Sequence, residues 1–343
     1  MKKYLGTKIK QVRESLRLTQ EQVSKGTGLS SEFISLLEKG KRYPSLESIE
    51  KISNYLNKNI SYFFEEETDP FETIMKDKEL SNSIKSEFKT FKKYCTEYLN
   101  MENILGISLE EAPFYSSLSP EMMAAEERKR LGLGTQPIKN IFTLLELNGL
   151  RILRQSLKKS LEIAGAFIYF KAQKAGFALI NTNQSYAKQI ITAAHEYCHY
   201  LKDREFISII DNEDIFVDEY LPLYPSREKF AHLFSLHFLI SEEQITSFIR
   251  EELHKKERRI ENIIMLKRHL ELPLEIILKT LLRMKYISLS EYNEYKEQKY
   301  LDYEKSLFGY VKAESSPYKK RTKVIPSDRY KTLAVQAFQD KDL

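Results

Sequence analysis

The segment from Ala187 to Leu201 constrains this chain more than any other. Ala187, Ile190, Ile191, Ala194, Cys198 and Leu201 recur three or four residues apart, which predicts a helix with one buried stripe. His195 and His199 fall together on the neighbouring face. At i and i+4 their imidazoles stand one above the other, close enough to share a metal ion. Glu196 lies where a carboxylate could take the proton of a metal-bound water as that water attacks a peptide carbonyl. The pattern is HExxH, written here as HEYCH. Cys198 belongs to the apolar stripe, so it is expected to be a buried thiol rather than a ligand.

A catalytic zinc takes three protein ligands and keeps one position open. Pro225 and Ser226 open a second helix in which Glu228 and His232 share a face, and Glu228 is the best third ligand, with Asp218 and Glu219 as rivals. His232 stands either as a hydrogen-bonding partner that orients the centre or as an ordinary buried histidine. His237, His254 and His269 are read as structural. The ligand set suits one zinc ion best and is also compatible with manganese or cobalt.

Around this centre the chain reads as mainly α with a small β-sheet. An all-α helix-turn-helix domain is followed by an α+β zincin-like unit and a helical C-terminal extension. Residues 1–66 form the first domain, with apolar stripes Leu5, Ile9, Val12, Leu16 and Leu46, Ile49, Ile52, Leu56, and with Thr19 and Ser30 as N-caps. Residues 67–118 form a helical connector, where Phe88, Phe91, Cys95 and Leu99 recur beside Tyr94 and Tyr98. Packing is the first expectation for that stripe and a homodimer contact the second. Residues 119–240 hold the metal unit, with helices at Glu121–Leu131 and Ile138–Leu147 and strands at Leu150–Leu153, Ala166–Phe170 and Phe177–Asn181. Residues 241–311 are the helical extension, with capping boxes at Ser241–Gln244 and Ser288–Glu291. Residues 312–343 are a basic linker, 312–328, and a short terminal helix.

Charge is uneven. The net charge is +5, yet residues 1–64 alone hold 12 Lys/Arg against 6 Asp/Glu, a local surplus that suits phosphate contact. No apolar run nears the roughly 20 residues needed to span a bilayer, and MKKYLGTKIKQ has no leader-like apolar stretch, so a cytoplasmic protein without membrane partners is expected. Cys95 and Cys198 are expected to be free thiols.

Two resemblances follow. Residues 121–240 resemble the ImmA/IrrE family of metallo-endopeptidases through AEERKRLGLGTQPIKNIFTLLELNGLRI, INTNQSYAKQIITAAHEYCHYL and REKFAHLFSLHFLI. The resemblance implies His195, His199 and Glu228 as metal ligands and Glu196 as the catalytic carboxylate. His232 departs from the family, which has Asn or Asp there, and Ser241 stands where the family often has proline. Residues 5–64 resemble the XRE or lambda-repressor-like helix-turn-helix through LGTKIKQVRESLRLTQEQVSKGTGLSSEFISLLEKGKRYPSLESI. That fold starts its second helix at Thr19 and Gln20 and runs its recognition helix from Ser30 to Glu38. Phe33, Ile34 and Leu37 then face the core, and Ser31, Glu32 and Ser35 face the major groove with Leu36 at its margin. Gln20, Lys39 and Arg42 are left to hold phosphates.

The combined resemblance implies a DNA-binding regulator with metal-dependent endopeptidase activity. Its partners are a DNA operator and a protein substrate, a helix-turn-helix repressor in trans or the chain itself, whose cleavage derepresses stress or mobile-element genes. Acidic residues between Lys202 and Tyr220, among them Asp203, Glu205 and Asp211, either attract such a basic substrate or serve solubility. The alternative is a non-proteolytic regulator whose metallopeptidase-like domain senses a ligand or metal. A protein-binding module in which Glu196 is dispensable is a third reading.

Overall fold

The computed structural model describes residues 2–16, 18–64, 69–76, 81–157, 163–206, 208–212, 226–252, 260–297, 300–311 and 323–339. The chain divides into two compact units, Met1–Thr68 and Asp69–Leu343. Among the described residues, no helix is long and apolar enough to cross a membrane.

Among the described residues the first unit is five helices: α1 (Lys2–Ser15), α2 (Gln20–Thr27), α3 (Ser31–Glu38), α4 (Leu46–Tyr55) and α5 (Ile60–Phe64). A full capping box starts α2, with Thr19 Oγ1 accepting from Gln22 N at 3.1 Å and Gln22 Oε1 accepting from Thr19 N at 2.7 Å. Ser30 Oγ accepts from Phe33 N to start α3. Leu5, Ile9, Val12, Val23, Ile34, Leu37, Ile49, Ile52, Leu56 and Phe63 form the core. The expected stripes overrun it at their ends: Leu16 is 48% exposed and Leu46, the first residue of its helix, 74%. Phe33, expected in the core, is only half-buried at its edge, with the Arg42 guanidinium 5.0 Å from its ring centroid.

The second unit holds twelve helices and five strands among the described residues. In chain order they are α6 (Pro70–Lys76), α7 (Asn82–Leu105), α8 (Pro120–Arg130), α9 (Ile141–Leu147), β1 (Leu150–Gln155), β2 (Ile163–Phe170), β3 (Ala175–Asn181), α10 (Tyr186–Lys202), β4 (Ser208–Asn212), α11 (Ser226–Leu239), α12 (Glu242–Glu252), α13 (Ile260–Leu270), α14 (Leu274–Arg283), α15 (Leu289–Glu297), α16 (Tyr300–Phe308), β5 (Val324–Pro326) and α17 (Asp328–Gln339). The sheet runs β4-β2-β3-β1-β5. β1 and β3 are parallel and the other pairs antiparallel.

Helices cover both faces of this sheet. Ile152, Phe167, Ala178 and Ile180 pack with α10 and α11 on one side. Leu153, Ala166, Ile168, Phe177 and Leu179 pack on the other with Phe88, Phe91, Cys95 and Tyr98 of α7 and Leu333 of α17. Burial on both faces explains why the strands read as apolar runs without alternation. It also corrects the connector reading: α7 is a layer of the second unit's core. The aromatic stripe is used within the chain, and Tyr94 and Tyr98 add hydrogen bonds to Ile152 O and Glu146 Oε1.

The linker reading of 312–328 also needs correction. Residues 312–322 lie outside the described residues, but Val324–Pro326 forms an edge strand paired with Leu153–Gln155. Beyond it, Tyr330 stacks on Tyr94 with centroids 4.6 Å apart, and Arg329 reaches Glu102, which already holds buried Arg151 at 2.7 Å. Both capping boxes of the helical extension form. The apolar face of α14 joins the core beneath α10 and α11.

Candidate metal centre and nucleic-acid interface

α10 lies between the sheet and α11, and His195, Glu196 and His199 are all fully buried. Close approach to the sheet depends on missing side chains: a Cβ on Gly176 would fall 2.5 Å from the Tyr200 ring. A Cβ on Gly165 would fall 2.3 Å from Glu196 Oε1, so Gly165 makes the space that Glu196 occupies. Gly165 sits where the register between β2 and β4 shifts. α8 braces the two site helices. Its Glu127 accepts from Tyr197 of α10, and Arg128 donates to Phe238 O of α11 at 2.8 Å.

This packing brings Glu228, from the first turn of α11, against both histidines. His195 Nε2 and His199 Nε2 are 3.0 Å apart, and Glu228 Oε2 is 3.2 Å from the first and 3.3 Å from the second. Metal bonds of about 2.0–2.1 Å at tetrahedral angles separate their donor atoms by about 3.3 Å. The triangle therefore has the size that one zinc-like ion requires, and two imidazoles with a carboxylate are a suitable donor set. Burial opposes ionisation of Glu228, but hydrogen bonds to the two imidazoles outweigh it and hold the carboxyl well below its usual range. Its other oxygen, Oε1, accepts from Arg227 Nε at 3.0 Å.

Sequence reasoning missed Asp203. His199 Nδ1 lies 2.7 Å from Asp203 Oδ2, with both side chains buried. A proton on Nδ1 donated to that carboxylate leaves Nε2 to face the triangle. The signal was available, since Asp203 is four residues past His199 and caps the same helix. His232 is buried one turn beyond Glu228. His237 pairs with Glu121 at 3.3 Å and His269 packs on Phe248, while His254, Asp218 and Glu219 lie outside the described residues. Cys198 and Cys95 are free and buried, and burial pushes both thiols up.

In the first unit, Ser31, Glu32, Lys39 and Arg42 are exposed and Ser35 and Leu36 half-buried. The Thr19 and Ser30 hydroxyls are engaged as caps. Gln20 Nε2 donates to Glu38 Oε2 at 2.7 Å, which ties α2 to the end of α3. Glu38 also takes Arg13 through two oxygens, at 2.6 and 3.0 Å, a buried pair not expected from the sequence.

These two units define a helix-turn-helix DNA-binding domain fused to a domain of metallopeptidase-like fold. Residues 9–63 match the family model described as helix-turn-helix, and residues 149–282 match the peptidase-family model described as IrrE N-terminal-like domain. An uncharacterized HTH-type transcriptional regulator of Archaeoglobus fulgidus is 41% identical over 63 residues, which are 18% of this chain and 89% of that protein. The chain belongs to the HTH-type transcriptional regulators and carries an IrrE N-terminal-like domain behind its helix-turn-helix. Among solved structures, Bacillus thuringiensis PlcR in complex with the peptide PapR7 and DNA is 14% identical, covers 90% of this chain and 96% of its own, and has a TM-score of 0.18. The apo competence regulator ComR of Streptococcus vestibularis is 12% identical, with 99% of both chains covered and a TM-score of 0.19. At such scores neither supports an argument about fold or partner.

Proposed function

We propose that this DNA-binding regulator is also a metal-dependent endopeptidase that cleaves a helix-turn-helix repressor, in trans or its own, and thereby derepresses stress or mobile-element genes. The observation that carries the reading is the buried triangle of His195, His199 and Glu228, with Glu196 beside it on the same helix. A divalent cation there, zinc by donor type, would polarise a peptide carbonyl and acidify water. Glu196 is the proton acceptor and later donor in this scheme, through the carboxylate that Gly165 makes room for. Asp203 holds the His199 tautomer, and the Arg227 guanidinium balances charge at Glu228 Oε1. The exposed face of α3, with Ser31 and Glu32, reads base edges, while Lys39 and Arg42 hold phosphates. DNA binding brings the peptidase to a repressor seated on its operator or makes its own helix-turn-helix the target.

Metal analysis combined with cleavage of repressors encoded nearby, in wild type and Glu196→Ala, tests this reading. Both proteins are expected to hold one metal and only the wild type to cut. If neither cuts and both repress the same promoter, the chain is a non-proteolytic regulator.

A further inference from the structure

Five helical threonines of this chain, Thr27, Thr96, Thr246, Thr280 and Thr332, donate to the carbonyl four residues earlier at 2.7–3.0 Å. Thr192 does otherwise. It is fully buried on α10, one turn before Glu196. Its Oγ1 donates to Gln184 Oε1 at 3.3 Å, eight residues back and outside the helix. Gln184 is itself buried and is fixed by the turn from β3 into α10: its N donates to Asn181 O at 3.4 Å, and its O accepts from Gln189 Nε2 at 3.0 Å.

The partner of the hydroxyl decides where the methyl goes. A threonine in a helix divides between two χ1 rotamers, and the bond its hydroxyl makes selects one. With Oγ1 on Gln184, Cγ2 of Thr192 points at Gly165 of β2. It lies 2.6 Å from the place a Cβ on that glycine would take, and Glu196 Oε1 lies 2.3 Å from the same place. The Leu179 backbone oxygen is the third neighbour, at 2.9 Å. The methyl and the carboxylate thus share one notch in the sheet. A glutamate has several side-chain torsions, and close packing against a methyl removes the alternatives that a gap would allow.

We propose that Thr192 is a positioning residue for Glu196: Gln184 sets its rotamer, and its γ-methyl fills the notch at Gly165 so that the Glu196 carboxylate keeps one place beside the metal triangle. The hydroxyl is the anchor and the methyl is the wall. The consequence for cleavage rests on the peptidase reading; the placing of Glu196 does not. A threonine kept only for its buried hydrogen bond would be hurt most by losing the hydroxyl. Here the loss of the methyl is what matters, so two near-isosteric substitutions separate the roles.

Thr192→Ser keeps the hydroxyl and removes the methyl. Thr192→Val removes the hydroxyl, and its preferred helical rotamer puts a methyl at both places that the threonine methyl can take. Full-length proteins, checked by melting for a folded state, are compared by crystal structure at Glu196 and by cleavage of a nearby-encoded repressor that the wild type cuts, with rates taken per bound metal ion. Serine should lower kcat about tenfold or more with KM within about twofold, and its crystal should show Glu196 away from Gly165 or in two conformers. Valine should keep Glu196 in place and a kcat well above that of serine. Gln184→Met, which removes the anchor, should lower kcat as serine does, and adding Thr192→Val to it should restore the rate. The proposal is overturned if Glu196 keeps its single place in the serine crystal, if valine lowers kcat as much as serine does, or if valine fails to rescue Gln184→Met. A wild type that cuts nothing refutes the peptidase reading, and the crystals alone then decide this one.

Discussion

Asp203 offers the sharpest test of the metal centre, because its contact was not expected and its effect can be worked from geometry. His199 Nδ1 and Asp203 Oδ2 are 2.7 Å apart, with side chains 0% and 8% exposed. A hydrogen bond to a charged partner in such a place is worth about 1.5–3 kcal/mol. It favours the ring state in which Nδ1 carries the proton, so that Nε2 could give its lone pair to an ion shared with His195 and Glu228. Loss of an outer carboxylate of this kind weakens metal binding by about 10–100-fold, or about 1.4–2.7 kcal/mol, so the two estimates agree. Asp203→Ala, which removes both charge and acceptor, should therefore raise the zinc Kd by about 10–100-fold. Asp203→Asn keeps an acceptor oxygen and should fall at the lower end. The helix end itself should survive, because the cap is made by the backbone, Asp203 N donating to His199 O at 2.7 Å. Competition against a chromophoric chelator reads the Kd, and melting in excess chelator reports folding. An Asp203→Ala protein that melts like wild type and binds zinc within about twofold of it would refute this role for the contact.

Four further outcomes are expected. Glu228→Ala should lose stoichiometric metal by elemental analysis, and full occupancy would move the third ligand to Asp218 or Glu219. Gly165→Ala, whose Cβ meets Glu196 Oε1 at 2.3 Å and the Leu179 backbone oxygen at 2.9 Å, should lower stability by about 1–3 kcal/mol and reduce cleavage more than metal content; unchanged melting and cleavage would show that Glu196 does not need this space. Glu38→Ala removes the two bonds that hold Arg13 to α3 and leaves its guanidinium with Leu18 O at 2.7 Å and Glu14 at 3.3 Å, so it should cost the helix-turn-helix about 1.5–3 kcal/mol, seen as faster amide exchange in α1 and α3; unaltered exchange would mean that the pair is not structural. Arg42→Ala should weaken all DNA sequences alike while changes at Ser31 or Glu32 alter preference, and binding unchanged by every one of these would point to a protein partner.

What was legible in the sequence was local. His195 and His199 sit one turn apart, so their shared face follows from helix geometry alone, and the caps at Thr19, Ser30, Ser241 and Ser288 follow from neighbours three residues away. Glu228 is 33 positions from His195; helical spacing makes it the best third ligand but leaves Asp218 and Glu219 as rivals, and the resemblance singles it out. Asp203 was overlooked for a different reason: its value depends on α10 running to Lys202, and helix ends are the least determined part of a periodic pattern. Read as loop charge, it had no partner to suggest.

The remaining misreadings share one cause, which is pairing across long separations. Val324–Pro326 is too short and too close to basic residues to announce a strand, and its partner Leu153–Gln155 lies some 170 residues earlier. The same strand runs past its expected end at Leu153 to Gln155, and Arg154 within it is buried among Phe142, Tyr186 and Gln189. A charged residue in an otherwise apolar strand is thus weak evidence for a strand end and stronger evidence for a built polar contact, because burying it without one would cost several kcal/mol.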